Sequence, residues 1–187
     1  SGAQPQDGFI ALTQLYIAII TTGYAVQAVG SLRGEETAGR LEPRLSGTLS
    51  RTRWLAAHGL VIVTGLVVIV VVSSVALAAA TAWSMGTTAH LGRAVGAGAA
   101  YLPAELLVGG LALALFSLRP RALPASWAAF ALVAFIAFLG RGLQLAGWAL
   151  DLAPTTHVGN PPLGPVKVLP LVVLSATAAA LVVTAAL

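Results

Sequence analysis

The sequence predicts an all-α membrane protein, a polytopic bundle of five transmembrane helices with a charged loop after the first. Three observations carry that prediction. Hydrophobic residues make up 58% of the 187 and charged residues only 9%, whereas soluble domains run nearer a quarter charged. The apolar residues gather in runs of roughly 18 or more, long enough to cross a hydrocarbon core of ~30 Å at ~1.5 Å per residue. And 8 of the 16 formal charges fall in one short segment, between Arg33 and Arg53.

The spans are expected at 9–32, 54–82, 96–118, 123–140 and 166–187. The second is long for one crossing, so its first turn is expected at the membrane interface with Trp54 as an aromatic anchor. Its β-branched run "VIVTGLVVIVVVSSV" would favour a strand in water. An isolated strand in lipid cannot satisfy its backbone polar groups, so helix is the expectation. A barrel would need alternation toward a polar lumen, and these runs do not alternate. Leu123–Gly140 follows the "RPR" at Arg119–Arg121. The segment 141–165 contains "RGLQLAGWALDLA", apolar but too short to span, and so expected as a re-entrant or interfacial helix. Pro154, Pro161, Pro162 and Pro165 punctuate the rest of it.

Orientation follows from the basic residues. Arg33, Arg40, Arg44, Arg51, Arg53, Arg119 and Arg121 lie on one side, and Arg93, Arg141 and Lys167 on the other. The positive-inside rule places the loop 33–53 in the cytoplasm, and the chain is expected to be a multi-pass membrane protein. Five spans then start outside and end inside. With the opening "SGAQPQDGF" and the close "VVTAAL" within an apolar run, that reads as a piece of a longer protein.

The charged loop has physical structure of its own. Glu36 and Arg40 stand four apart with the acid first, the favourable order for a helical pair, and Pro43 ends such a helix. Ser50 is placed to cap the next span. Arg51 and Arg53 in its first turn are disfavoured by the helix dipole, by ~0.3–1 kcal/mol each, and favoured by an anionic leaflet to a similar extent. A purely membrane-facing loop would be basic throughout. The acids Glu35, Glu36 and Glu42 among Arg40, Arg44 and Arg51 fit either a docking element for a soluble partner or a solvated loop whose charges pair with one another.

Chemistry elsewhere is sparse. Cys is absent, which excludes disulfides, thiolate nucleophiles and Cys-ligated metal. His58, His90 and His157 have no metal-site spacing. No Gly-x-Ser-x-Gly elbow marks a serine hydrolase, and no Gly-x-x-x-x-Gly-Lys loop exists, so the chain does not itself hydrolyse ATP. The net charge of +4 belongs to span flanks and does not point to nucleic acid. Within the spans, Gln14, Thr21 and Tyr24 fall within about 80° on a helical wheel, beside Ala18, Ala25 and Ala28. Such a stripe is a helix–helix interface or the lining of a route. Glu105 is the one acid well inside a span, where ionisable groups are expensive and often functional. Pro103 is expected to kink the helix there and free a backbone group for it to bond.

Two motifs resemble a family. "RGEETAGRLEPRLSGTLSRTRW" is similar to the loop of ABC-2-type permeases of the tetronasin or polyketide-antibiotic exporter group, with Arg-x-Glu-Glu-x-x-Gly-Arg-x-Glu followed by Ser-Arg-x-x-Trp. "WALDLAPTTHVGNPP" resembles an external segment of the same group, with Trp148, Asp151, Pro154 and His157 at the shared positions. Ala153 and Thr155 depart from it, where Ser and often Phe are usual. The resemblance implies the C-terminal half of a six-helix-per-unit ABC-2 permease. It implies that Glu35–Arg51 is a coupling loop docking on a cytosolic ABC ATP-binding subunit, which holds the ATP and Mg. Further implied partners are the other permease half and membrane lipid. Gln14, Thr21, Tyr24 and Glu105 then become candidates for a transport pathway, and no catalytic residue, metal or cofactor is expected on this chain. The implied activity is export of hydrophobic antibiotics or drugs. Two alternatives stand beside it: a proton-coupled secondary carrier using Glu105, and an intramembrane enzyme.

Overall fold

The computed structural model describes residues 5–37, 51–86, 88 and 91–186. The helices are α1 (Pro5–Thr37), α2 (Arg51–Met85), α3 (Leu91–Ala99), α4 (Leu102–Leu118), α5 (Pro124–Leu139), α6 (Gly147–Leu150) and α7 (Val168–Ala186), with short 3-10 turns at Pro120–Ala122 and Pro154–Val158. No strand occurs among the described residues. Five helical stretches are long and apolar enough to cross a membrane: Asp7–Gly34, Arg53–Met85, Leu91–Leu118, Pro120–Leu139 and Val168–Ala185. The chain is a polytopic helical bundle and a membrane protein.

The helices begin and end where backbone chemistry requires. Proline stands in the first turn of α4, of α5 and of both 3-10 turns, where its missing N–H costs nothing. Arg119, with φ −154° and ψ 88°, takes the chain out of α4. Between α3 and α4 the helix breaks at Ala100–Tyr101, and Tyr101 O then accepts both Ala104 N (3.0 Å) and Glu105 N (3.1 Å). The expected kink is a two-residue break, Ala100–Tyr101, within one helical stretch. The freed backbone group is not taken by the Glu105 side chain, whose Oε2 has no hydrogen-bond partner among the described residues. The segment 141–165 folds as short helical turns. Gln144 and Asn160 have positive φ, and Gly159 has a φ of 94°, a conformation in which a Cβ is strained.

α4 is the centre. It runs parallel to α1 on one side and to α7 on the other, and α2 and α5 run the opposite way. Small residues make the close approaches. A Cβ on Gly109 would meet Ala25 Cβ at 3.2 Å, and one on Gly110 would meet Ala178 O at 3.3 Å. Ser117 Oγ donates to Ala185 O at 2.6 Å and ties the ends of α4 and α7. α1 and α2, at 33 and 35 residues, are each about 50 Å long and outreach a ~30 Å hydrocarbon core.

Trp54 differs from its expected place. It is 6% exposed and belongs to the core with Leu32, Phe116 and Leu123, its ring 4.4 Å from that of His58. Its ring is buried in the bundle, so it packs inward instead of anchoring at the membrane surface. At the far end of α2 it is Trp83 that stands 91% exposed, the interfacial position such a ring favours.

At Gly98 the close approach is tightest. The Ser74 hydroxyl of α2 fills the space a Cβ would occupy, and Gln14 Oε1 lies 3.0 Å from it. Gly98→Ala therefore overpacks the α1–α2–α3 junction and destabilises the protein by about 1–3 kcal/mol. Removing the opposing side chain with Ser74→Gly recovers part of that loss. Thermal unfolding of the purified full-length protein, run as a double-mutant cycle, reads both effects.

Candidate transport site

Of the candidate pathway residues, Gln14, Thr21 and Glu105 are buried, Gln14 at the α1–α2–α3 junction and the other two further along α1 and α4, while Tyr24 is open. Gln14 is 1% exposed and its Nε2 donates to Ala94 O at 3.0 Å. Thr21 and Thr22 are equally buried. Each donates to the carbonyl four residues back, Ile17 O and Ala18 O, both at 2.7 Å. Those bonds satisfy the hydroxyl donors within α1. Ser74 Oγ and Glu105 Oε2 have no partner among the described residues. Tyr24 is more open, at 37%, and its hydroxyl rests in the space beside Gly65 of α2 that a Cβ would fill. The stripe serves as a helix interface at Gln14 and Thr21 and opens at Tyr24.

Register explains the arrangement. Gln14 lies against Gly98 and Ala25 against Gly109, so the parallel helices set Thr21 level with Glu105. One turn further along the same faces is an apolar cavity of about 340 Å³. Ala25, Leu66, Leu106, Gly109, Ala178 and Val182 are among its walls, which come from α1, α2, α4 and α7. A second cavity of about 250 Å³ shares Gly59, Val63, Leu113 and Val182 with the first and continues to Leu55 and Ala185. The two form one apolar cleft between α2 and α7, ending near Arg53. Sequence patterning does not reveal it, because its walls are ordinary Ala, Gly, Val and Leu from four separated segments.

The external motif lies at the opposite end. Pro154 and Thr155 are buried and Trp148 is exposed. His157 is half-buried, with Nδ1 3.2 Å from Ala153 O and Nε2 4.0 Å from the Asp151 carboxylate. Thr156 Oγ1 donates to Leu150 O and Ala153 O at 2.8 and 2.7 Å. Beneath this turn a small cavity of about 50 Å³ is bordered by Tyr101, Arg141, Thr155 and Asn160, and Thr155 Oγ1 is buried without a partner among the described residues. From sequence, Thr155 is only a departure from the family-like motif and Arg141 only a marker of orientation, and Tyr101 carries no signal. Tyr101 reads as one more aromatic at a helix start until the α3–α4 break places it inside.

Of the loop residues, Arg40, Glu42 and Arg44 lie outside the described residues. So do the side chains of Glu35, Glu36 and Arg51, whose backbones belong to α1 and α2. No cluster of three or more metal-ligating side chains occurs among the described residues.

The described residues form a helical bundle with five candidate spans and an apolar cleft between its helices. Residues 1–187 match the family described as the C-terminal domain of the multidrug efflux system permease Rv1217c. The chain is also 35% identical over 186 residues to the multidrug efflux system permease protein Rv1217c of Mycobacterium tuberculosis, an alignment covering 97% of this chain and 33% of that protein. The chain belongs to this efflux permease family, and it spans about a third of the length of the curated relative it matches. The match names an efflux permease, not the tetronasin subgroup that the motifs resemble.

Arg93 connects three elements at the Arg141 end. Its guanidinium lies 3.6 Å from the Asp7 carboxylate of α1 and donates to Pro162 O at 3.2 Å. Its side chain is 54% exposed, so solvent screening holds the combined contribution to roughly 1 kcal/mol. Arg93→Gln is expected to loosen the 159–167 turn and speed its cleavage by a protease several-fold, read by limited proteolysis of the membrane-embedded protein.

Proposed function

We propose that this chain is part of the membrane-spanning permease of an ATP-driven exporter of the ABC-2 type, carrying hydrophobic drugs or antibiotics out across a bacterial inner membrane. The observation that carries the reading is the apolar cleft between α2 and α7 in a chain that belongs to an efflux permease family. Its walls suit an apolar cargo, and pockets of a few hundred Å³ are the ordinary size for small-molecule sites.

The energy enters at the loop 33–53, which lies in the cytoplasm and docks on a separate ATP-binding subunit. Its mixed charges, Glu35, Glu36, Arg40, Glu42, Arg44 and Arg51, join the ends of the two longest helices. Those helices are continuous through the bundle, so a displacement at the loop is carried along them as along levers. α1 is held against α4 by the Ala25–Gly109 contact. α2 has the cleft between it and α7, and it is the helix whose movement would open or close that space. The ATP and Mg belong to the partner. The other permease half supplies the second wall of the pathway.

A carrier reading rests on Glu105, buried with one oxygen unpartnered. The two readings separate in one experiment, co-purification of the full-length permease with the ATP-binding subunit encoded beside it. Wild type is expected to bring the subunit down, and Glu35→Arg/Glu36→Arg to lose it by tenfold or more. If no ATP-binding subunit binds, or the reversal changes nothing, the exporter reading fails and the carrier takes its place.

A further inference from the structure

Glu105 is an acid with no counter-charge among the described residues. Its side chain is 1% exposed, and Oε2 meets no donor among the described residues. The spans bring it no cation. Residues 8–32, 59–85, 94–118, 124–140 and 168–186 contain no Lys, Arg or His. The nearest basic residues in the sequence on either side, Arg93 and Arg119, sit beyond the ends of α3 and α4, and Arg93 is engaged with Asp7 and Pro162. Thr21, level with Glu105 on α1, has its hydroxyl hydrogen committed to Ile17 O. An ionised carboxylate at such depth is expensive unless a positive charge meets it.

The surroundings say what kind of charge fits. Glu105 is four residues from Gly109, on the same face of α4, and Gly109 lines the 340 Å³ cavity, as does its neighbour Leu106. A molecule seated in that cavity has aliphatic side chains along most of its length, and Glu105, not itself one of the walls, stands one helical turn along α4 from Gly109. That pattern suits an amphiphile with an apolar body and a cationic head. It gives nothing to an anion, and to a neutral molecule a hydrogen bond but no charge pairing.

We propose that Glu105 and the adjoining cavity form a recognition site for lipophilic cations, the carboxylate meeting the positive charge and the α1–α2–α4–α7 cavity taking the apolar body. This names a substrate class for the efflux site and rests on the reading of the chain as part of an exporter.

The test is equilibrium binding to the purified full-length permease of two near-isosteric probes, methyltriphenylphosphonium and neutral triphenylphosphine oxide. Wild type is expected to bind the cation about tenfold more tightly, a difference of about 1.4 kcal/mol. Glu105→Gln, of the same shape, removes that preference and leaves binding of the neutral probe unchanged. Ala179→Phe, which projects a ring into the cavity from α7, weakens both probes. Equal affinities in wild type, or a preference that survives Glu105→Gln, overturns the proposal. An Ala179→Phe protein that binds both probes as wild type does overturns it too. Binding needs no ATP. A failed charge preference therefore leaves the exporter reading standing, and failure of the ATP-binding subunit to co-purify leaves the binding result standing.

Discussion

The close contact of α4 with its two parallel neighbours is the constraint on which the rest of the bundle depends. In lipid, apolar side chains gain little by turning toward one another, so helices associate through tight packing of small residues and through hydrogen bonds. α4 supplies both. Ala104, Gly109, Gly110 and Ala112 let the backbones of α1 and α7 come near, and Ser117 fixes the end of α7. With α4 so held, the register of α1 follows, and with it the level at which every polar side chain of α1 meets the core.

The places of the buried polar residues follow from that register and from one break. Pro103 cannot donate to residue 99, so the helix is interrupted at Ala100–Tyr101 and restarts with Tyr101 O as a double acceptor. α3 consequently carries Gly98 and Ala94 to the junction of α1 and α2, where Gln14 finds a carbonyl. Glu105 begins the new helix on its buried side. α3 meets the polar residues near one end of α1, and α4 packs small residues along the remainder on the same face.

Much of this was legible in the chain. Long runs of Ala, Val and Leu demand helices because lipid offers no other partner for the backbone, and no competing physics shifts that outcome. Glu105 stood out as the acid within a span, and Gln14, Thr21 and Tyr24 shared a stripe. What was hidden depends on pairing between distant segments. Nothing in "LGRAVGAGAAYLP" says that Gly98 will accept Ser74 from a helix that precedes it. Nothing local tells Trp54, at a span end as an interfacial ring would be, that Leu32, Phe116 and Leu123 will close over it. The cleft is the extreme case, since it is defined by where α2 and α7 fail to meet.

That failure is itself informative. α4 and α7 share an extended contact and α4 and α1 another, whereas α2 and α7 touch over a short stretch. At Gly59 and Gly65 α2 presents hydrogens where side chains would otherwise fill space. The Tyr24 hydroxyl lies beside Gly65, and Leu113 lies 3.4 Å from where a Cβ on Gly59 would be. A helix seated on glycines slides with less steric resistance than one keyed by interdigitating branched side chains. Packed cores switch between discrete arrangements rather than deforming smoothly, so the element that moves should be one with few keyed contacts. In this bundle the stretch of α2 beside the cleft, from Gly59 to Gly65, is of that kind, whereas its Ser74 end is keyed against Gly98.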